Sequence, residues 1–497
     1  MSGFDPARVT GAEIVDLAPA RQWFLSLPLD HLTSDAMSAF WTDPATQAAV
    51  LATVLRLRAE LQEAERTHVG EGHATDIAGA QASGPRTPLY DGIAKRLYRR
   101  ALAIANDATD IKGAHREAVA VRVVDEFLGL GPLEPLLQDP LVTDVMVNSP
   151  TAIFFDREGQ RYSCPAARFR DDDHLYEVVE RYLRSMNEQL TPMTPQVDGE
   201  LPDGSRINVT HQRVTGSVTV TIRRFPPRTW TLVDLIDKGA LIEPMALELA
   251  TLVRGRASML VAGGTGSGKT TLLNAMSGCV NLSERIITVE DSRELRLHPS
   301  ATNVIHAKSQ RKSPTMDALT MGDLVRNALR QFPDRIIVGE VRDGVVIDML
   351  QAASTGHEGS MSTIHANNVE DTLHRIALLS AQSGVELTDQ RVRDAIGVAI
   401  DVIVSVQRFG RDRRVTEVSE LVFDRASHAI TINRLWEWSH ELGCHRKVGE
   451  VTDRLGRRLQ LQSPEPVTRA DLDAIAAAAR DADEARLARL MSGERAA

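Results

Sequence analysis

The sequence predicts an α/β protein whose larger part is built on a mainly parallel sheet. Three observations carry that prediction. From about residue 241, short apolar runs alternate with helical stretches. A glycine-rich loop joins one of those runs to the helix after it, and an earlier segment mixes short, turn-bounded strands with helices. The chain's 497 residues allow two to four folded units, at roughly 100–200 residues per unit. With 43% hydrophobic and 25% charged residues, it has the composition of a chain that buries real cores, which rules out wholesale disorder.

The remaining composition narrows the class. The net charge is −10 and no basic run stands out, which disfavours a dedicated nucleic-acid binder. Cys164, Cys279 and Cys444 are far apart, and no C-x-x-C pair exists, so neither a zinc ribbon nor a disulfide framework is expected. A reducing compartment fits. The first ten residues carry Asp5 and Arg8 and no apolar core, so no secretory leader is expected. No uncharged apolar stretch is long enough to span a bilayer, so a soluble intracellular protein is expected.

In order along the chain, residues 1–88 read as a helical extension and linker. Asp43-Pro44 is a cap-and-first-turn pair, and Val50, Val54, Leu57 and Leu61 form an apolar stripe after it. Residues 66–88 lack periodicity and read as a flexible linker. Residues 89–228 read as a mixed α/β domain. Ile93, Leu97, Ala101 and Ile104 mark a helix, and Val142, Val145 and Val147 a strand. Ile153-Phe154-Phe155 precedes a Glu158-Gly159 turn, residues 173–189 return to helix, and Asp203-Gly204 signals a hairpin before an alternating strand from Val218 to Phe225. Residues 229–240 read as a linker. In 241–440 the expected strands are Met259–Ala262, Ile286–Glu290, Ile336–Val338, Ser360–Ile364 and Val402–Val406. Residues 441–497 read as a tail ending in a peripheral, solvated helix that starts at Thr468.

The loop Gly263-Gly264-Thr265-Gly266-Ser267-Gly268-Lys269-Thr270, followed by Thr271, fits G-x-x-x-x-G-K-[ST]. Binding a phosphate needs backbone N–H groups that converge on an anion, and glycine lets the chain wrap that closely. The helix that follows adds the positive end of its dipole. Lys269 supplies charge for the β- and γ-phosphates, and Thr270 a hydroxyl for Mg²⁺. ATP and Mg²⁺ are the expected ligands.

Hydrolysis also needs a carboxylate near the metal or the attacking water. Two expected strands end in acids: one runs into Glu290-Asp291, the other into Glu340. In open parallel sheets ligands sit at the carboxyl ends of strands, which suits both positions. His357 and His365 flank the Ser360–Ile364 strand, and a ring N–H from one of them could meet a γ-phosphate; spacing does not choose between them. Arg206 and Arg223 precede this region, and composition alone reads them as surface arginines.

Taken together, these segments resemble a known family. From about Gly129 to Trp438 the chain is similar to the secretion ATPases of type II and type IV systems, and most of all to the CpaF-like Tad pilus assembly ATPases. The resemblance is carried by Leu130–Leu137 with Thr143–Asn148, Leu201–Asn208, the phosphate loop, Val289-Glu290-Asp291, Leu324–Arg330, Pro333–Arg342, Thr355–Met361 and Thr363–Asn367. It implies a homo-hexamer in which a mixed α/β N-terminal domain closes over a RecA-like ATPase domain; the helical extensions read at both ends, residues 1–88 and 445–497, lie outside the resemblance. It also implies that Glu290 orients the attacking water, that Glu340 acts on Mg²⁺ and water, and that His357 lies near the γ-phosphate, with His365 a weaker candidate. Arg206 and Arg223 would reach the phosphates. The implied partner is an inner-membrane platform protein, which would hold a cytoplasmic motor at the membrane without insertion. The absence of a four-cysteine module separates the chain from most type II assembly ATPases. A conjugative type IV secretion ATPase is a variant of this reading; a nucleotide-gated scaffold with little turnover and a nucleic-acid translocase are the rivals.

Overall fold

In the computed structural model the described residues are 48–57, 59, 88–107 and 113–492, apart from 140, 158, 187, 225–228, 311–316, 384, 386, 411 and 464. The chain divides into two compact units, one formed by residues 1–227 with 487–497, the other by residues 228–486.

In the first unit, residues 48–57 are helical and bury Val50, Val54 and Leu57. Asp43-Pro44, Leu61 and the expected linker at 66–87 lie outside the described residues. Helix α1 (Pro88–Asp107) buries Ile93, Leu97, Ala101 and Ile104, the i, i+4, i+8, i+11 face read from sequence. Helices α2 (Gly113–Leu128) and α3 (Glu134–Gln138) lead into a six-stranded sheet. Its strands are β1 (Val142–Ser149), β2 (Ala152–Arg157), β3 (Gln160–Ser163), β4 (Gln196–Glu200), β5 (Arg206–Thr210) and β6 (Thr219–Arg223), in the order β3-β2-β1-β6-β5-β4. Helices α4 (Asp172–Ser185) and α5 (Gln212–Thr215) complete the unit. Alternate residues Val145, Val147, Phe155, Ile207, Val209, Val220 and Ile222 are buried in one core. The other face is polar, and the register lines up Glu200, Arg206, Arg223, Asp144, Asp156 and Arg161 in one row across all six strands.

The second unit begins with α6 (Leu232–Asp237) and α7 (Glu243–Arg254). Its strands are β7 (Met259–Gly263), β8 (Ile286–Glu290), β9 (Val304–Lys308), β10 (Arg335–Val338), β11 (Met361–Ile364), β12 (Val402–Phe409), β13 (Asp412–Asp424), β14 (Ala429–Ser439) and β15 (Cys444–Lys447). They form one sheet, β15-β14-β13-β12-β7-β11-β10-β8-β9, parallel from β12 to β9 and extended by three antiparallel strands. The helices between them are α8 (Lys269–Ser277), α9 (Met321–Ala328), α10 (Val345–Ser354), α11 (Val369–Gln382) and α12 (Asp389–Ala399), followed by α13 (Asp453–Gln462) and α14 (Arg469–Ser492). Met259 and Val261 enter one core with residues of α7, α8, α13 and α14; Leu260 and Ala262 enter a second core with residues of α9–α12. Burial on both faces is why these strands read as continuous apolar runs.

Two expectations need correction. Residues 229–240 are not a bare linker: Thr231 and Asp234 close a capping box on α6, and Leu232 and Leu235 are buried. Over residues 441–485 the tail is neither wholly helical nor wholly solvated. Strand β15 belongs to the sheet, and Leu455, Leu459, Leu472, Ala476 and Ala479 are buried, because small alanines let α14 lie close on its neighbours. Thr468 does cap α14, exchanging hydrogen bonds with Asp471. Among the described residues no helix is long and apolar enough to cross a membrane.

Candidate active site

Strand β7 is buried throughout and ends at Gly263, where the phosphate loop begins. A Cβ on Gly263 would sit 2.4 Å from the Val406 carbonyl oxygen, so no side chain fits there. Gly266 and Gly268 turn the chain with φ of +70° and +97°, which hands it directly to Lys269, the first residue of α8. Lys269 folds back over the loop, its Nζ donating to Gly264 O at 3.0 Å and lying 3.4 Å from both ring nitrogens of His365. Burial lowers its pKa, against the opposing pull of Glu340. The Ser267 hydroxyl is buried without a protein partner.

Glu290 closes β8. Its Oε1 accepts hydrogen bonds from the backbone N–H groups of Glu294 (2.8 Å) and Leu295 (2.7 Å), while Oε2 is buried with no partner. Burial pushes its pKa up to about 7 despite those two amides. Strand β10 pairs with β8 through Val338 and Val289, and Gly339 lets the two ends meet: a Cβ there would lie 3.2 Å from Glu290 Cγ. Glu340 follows at once. Its Oε2 accepts from Arg342 Nη2 at 2.7 Å, and its Oε1 lies 3.2 Å from His365 Nε2. Burial works to raise the Glu340 pKa, but the Arg342 hydrogen bond and the charges of Arg342, His365 and Lys269 hold it below the usual carboxylate range. Burial and the Lys269 charge lower the pKa of His365, against the opposing pull of Glu340.

The structure therefore brings together the loop 263–270, Glu290, Glu340 and His365 at the carboxyl ends of neighbouring strands. It does not bring His357 there. His357 precedes β11, beside the start of β7 where Met259 N donates to Ser360 O, whereas His365 follows β11 at the loop. A four-residue strand separates the two positions, a rise of about 13 Å. The physical reason is strand direction: in a parallel sheet only the residue after the strand faces the ligand edge, a signal that could have selected His365 from sequence. Arg206 and Arg223 belong to the other unit, side by side on the polar face of β5 and β6, with Arg223 Nε 3.0 Å from Asp144 Oδ1. Sequence reading missed Arg342 on Glu340. It also missed Arg413, whose Nε donates to Gly266 O at 3.0 Å; Gly410 between two strand-like runs was the available hairpin signal.

The free acceptor at Glu290, the Ser267 hydroxyl and the glycine-lined loop beside Lys269 fit a polyphosphate with its divalent cation. A family model described as "Type II/IV secretion system protein" matches residues 126–486. A putative conjugal transfer protein of Mycobacterium tuberculosis is 36% identical over 304 residues, covering 60% of this chain and 85% of the relative. The conjugal transfer protein TrbB of Rhizobium radiobacter is 32% identical over 312 residues, covering 63% and 93%. The crystal structure of the VirB11 ATPase of the Brucella suis type IV secretion system, in complex with sulphate, shares 31% identity over 58% of this chain and 92% of that one, with a TM-score of 0.32.

Proposed function

Because the chain belongs to the type II/IV secretion system protein family and is an ATPase of that family, we propose that it hydrolyses ATP with Mg²⁺ as a homo-hexameric motor. The motor powers assembly of a Tad or type IV-like pilus, or of a type II or type IV secretion system. The observation that supports this reading best is the meeting of Lys269, His365 and Glu340 beside a buried carboxylate with one free oxygen.

In this reading the loop from Gly263 to Thr271 cradles the phosphates, and Lys269 binds the β- and γ-phosphates. Thr270 and Glu340 hold Mg²⁺, which when bound neutralises charge on the phosphate oxygens. Glu290, its Oε1 fixed by two amides, uses Oε2 to orient the attacking water and take its proton. The ring of His365, rather than that of His357, donates to the γ-phosphate. Arg206 and Arg223 supply further positive charge from the N-terminal sheet. The motor works in the cytoplasm, held at the inner face of the membrane by a platform protein, and nucleic acid is not its substrate. The named relatives favour a conjugative type IV machine as the second reading.

Phosphate release from ATP and Mg²⁺ tests the proposal, with wild type beside Glu340→Gln and nucleotide binding followed in both. Wild type is expected to hydrolyse, and the variant to bind ATP while turning over at least about 100-fold more slowly. A wild type that binds ATP yet releases no phosphate, even with its platform protein added, is a nucleotide-gated scaffold and sinks the motor.

A further inference from the structure

A second cationic feature flanks the phosphate loop, on a hairpin outside the motif. Strands β12 and β13 turn at Gly410, and their register sets Arg408 directly opposite Arg413. Arg408 flanks Gly266, and Arg413 flanks both Gly266 and Gly268, the two left-handed glycines of the loop. A Cβ on Gly266 would lie 3.6 Å from Arg408 Nη1, and one on Gly268 would lie 3.1 Å from Arg413 Cδ. Arg413 Nε donates to Gly266 O, and Arg408 Nε donates to Gly410 O at 2.7 Å.

Among the described residues neither arginine has a carboxylate partner, although Asp412 is next in sequence to Arg413. Asp412 is taken by Arg414, at 2.9 Å. Like charges directly opposite in an antiparallel pair are destabilising. Burial lowers the Arg413 pKa, and the charge of Arg408 on the opposite strand adds to that lowering. In a chain with ten more acidic than basic residues, an opposed pair of arginines without an acid is a place made for an anion from outside.

We propose that Arg408 and Arg413 form an anion clamp on the flank of the phosphate loop that engages the phosphate chain of a bound nucleoside di- or triphosphate. Arg413 is in addition a positioning residue, holding the Gly266–Gly268 turn through the Gly266 carbonyl. The inference rests on the nucleotide-site reading above. It adds a second source of positive charge to Lys269, supplied by a hairpin that no phosphate-loop motif includes.

The test is ADP and ATP binding with Mg²⁺ by the full chain, measured by titration and by thermal shift at several salt concentrations. Wild type is compared with Arg408→Ala, Arg413→Ala and Arg413→Lys. Without nucleotide, Arg408→Ala is expected to melt at or above wild type, because a repulsion is removed. With nucleotide, each alanine variant binds about tenfold more weakly and with a shallower salt dependence. Arg413→Lys keeps the charge and recovers part of the affinity. Affinity within twofold of wild type in Arg408→Ala and Arg413→Ala overturns the clamp. So does a lower melting temperature without nucleotide combined with unchanged affinity, which marks the hairpin as structural only. A wild type that shows no nucleotide-induced shift has a different signature, and overturns the nucleotide site together with the clamp.

Discussion

Glu290 is only 2% exposed, and one of its oxygens is held by two amides while the other has no partner. With its pKa raised from 4.5 to about 7, the folded state keeps a proton that the unfolded chain releases near pH 4.5. That stabilising effect is complete below pH 4.5 and is lost as the pH climbs to about 7, a loss on the order of 3 kcal/mol. Glu290→Gln carries no such proton. Its melting temperature is expected to vary less than that of wild type between pH 4.5 and 7. Catalysis runs the other way, since a base must be ionised: the wild-type rate is expected to rise through about pH 7, and a pH–rate profile without that limb removes Glu290 from the role. The type and place of this acid were legible in the sequence, as the end of an apolar strand. Its protonation was not, because burial depends on Gly339 and on the loop of Glu294 and Leu295, which only the fold brings around it.

Among the elements, five of the six parallel strands were legible because burial on both faces leaves unbroken apolar runs; β9, at the sheet edge and only half-buried, was not. Strands β13–β15 escaped for a physical reason. Register shifts between Ser405 and Val406 and between Val418 and Ser419 break the two-residue alternation, so buried Val415, Val418 and Leu421 fit neither a strand nor a helix period. Helix α12 shows how tightly that sheet is covered. A Cβ on its Gly397 would sit 2.4 Å from the Phe423 ring of β13. In Gly397→Ala the alanine gains about 1 kcal/mol of helix propensity, but overpacking costs about 1–3 kcal/mol. A net fall of a few degrees in melting temperature is expected, and an unchanged or higher one shows that α12 can shift away from the sheet.

At the scale of the whole molecule, the stretch read as a linker and the stretch read as a tail meet. Thr229, at the start of the second unit, donates from its backbone N–H (2.7 Å) and its hydroxyl (3.0 Å) to Asp483 near the end of α14. Amphipathic spacing in α14 is obscured by its alanines, which is why its buried residues were not read from sequence. Cutting the chain before Thr452 would strip Leu455, Leu459, Leu472 and Ala476 from the core, and a loss of cooperative unfolding is the expected result in calorimetry. Residues 228–486 expressed alone keep both partners of the Thr229–Asp483 bond, and are expected to melt cooperatively and to bind nucleotide. The same closure gives the unit no privileged beginning. A circular permutant, joined across Thr229 and Asp483 and opened at the exposed turn 441–443 between β14 and β15, should preserve the fold while presenting its free ends somewhere new.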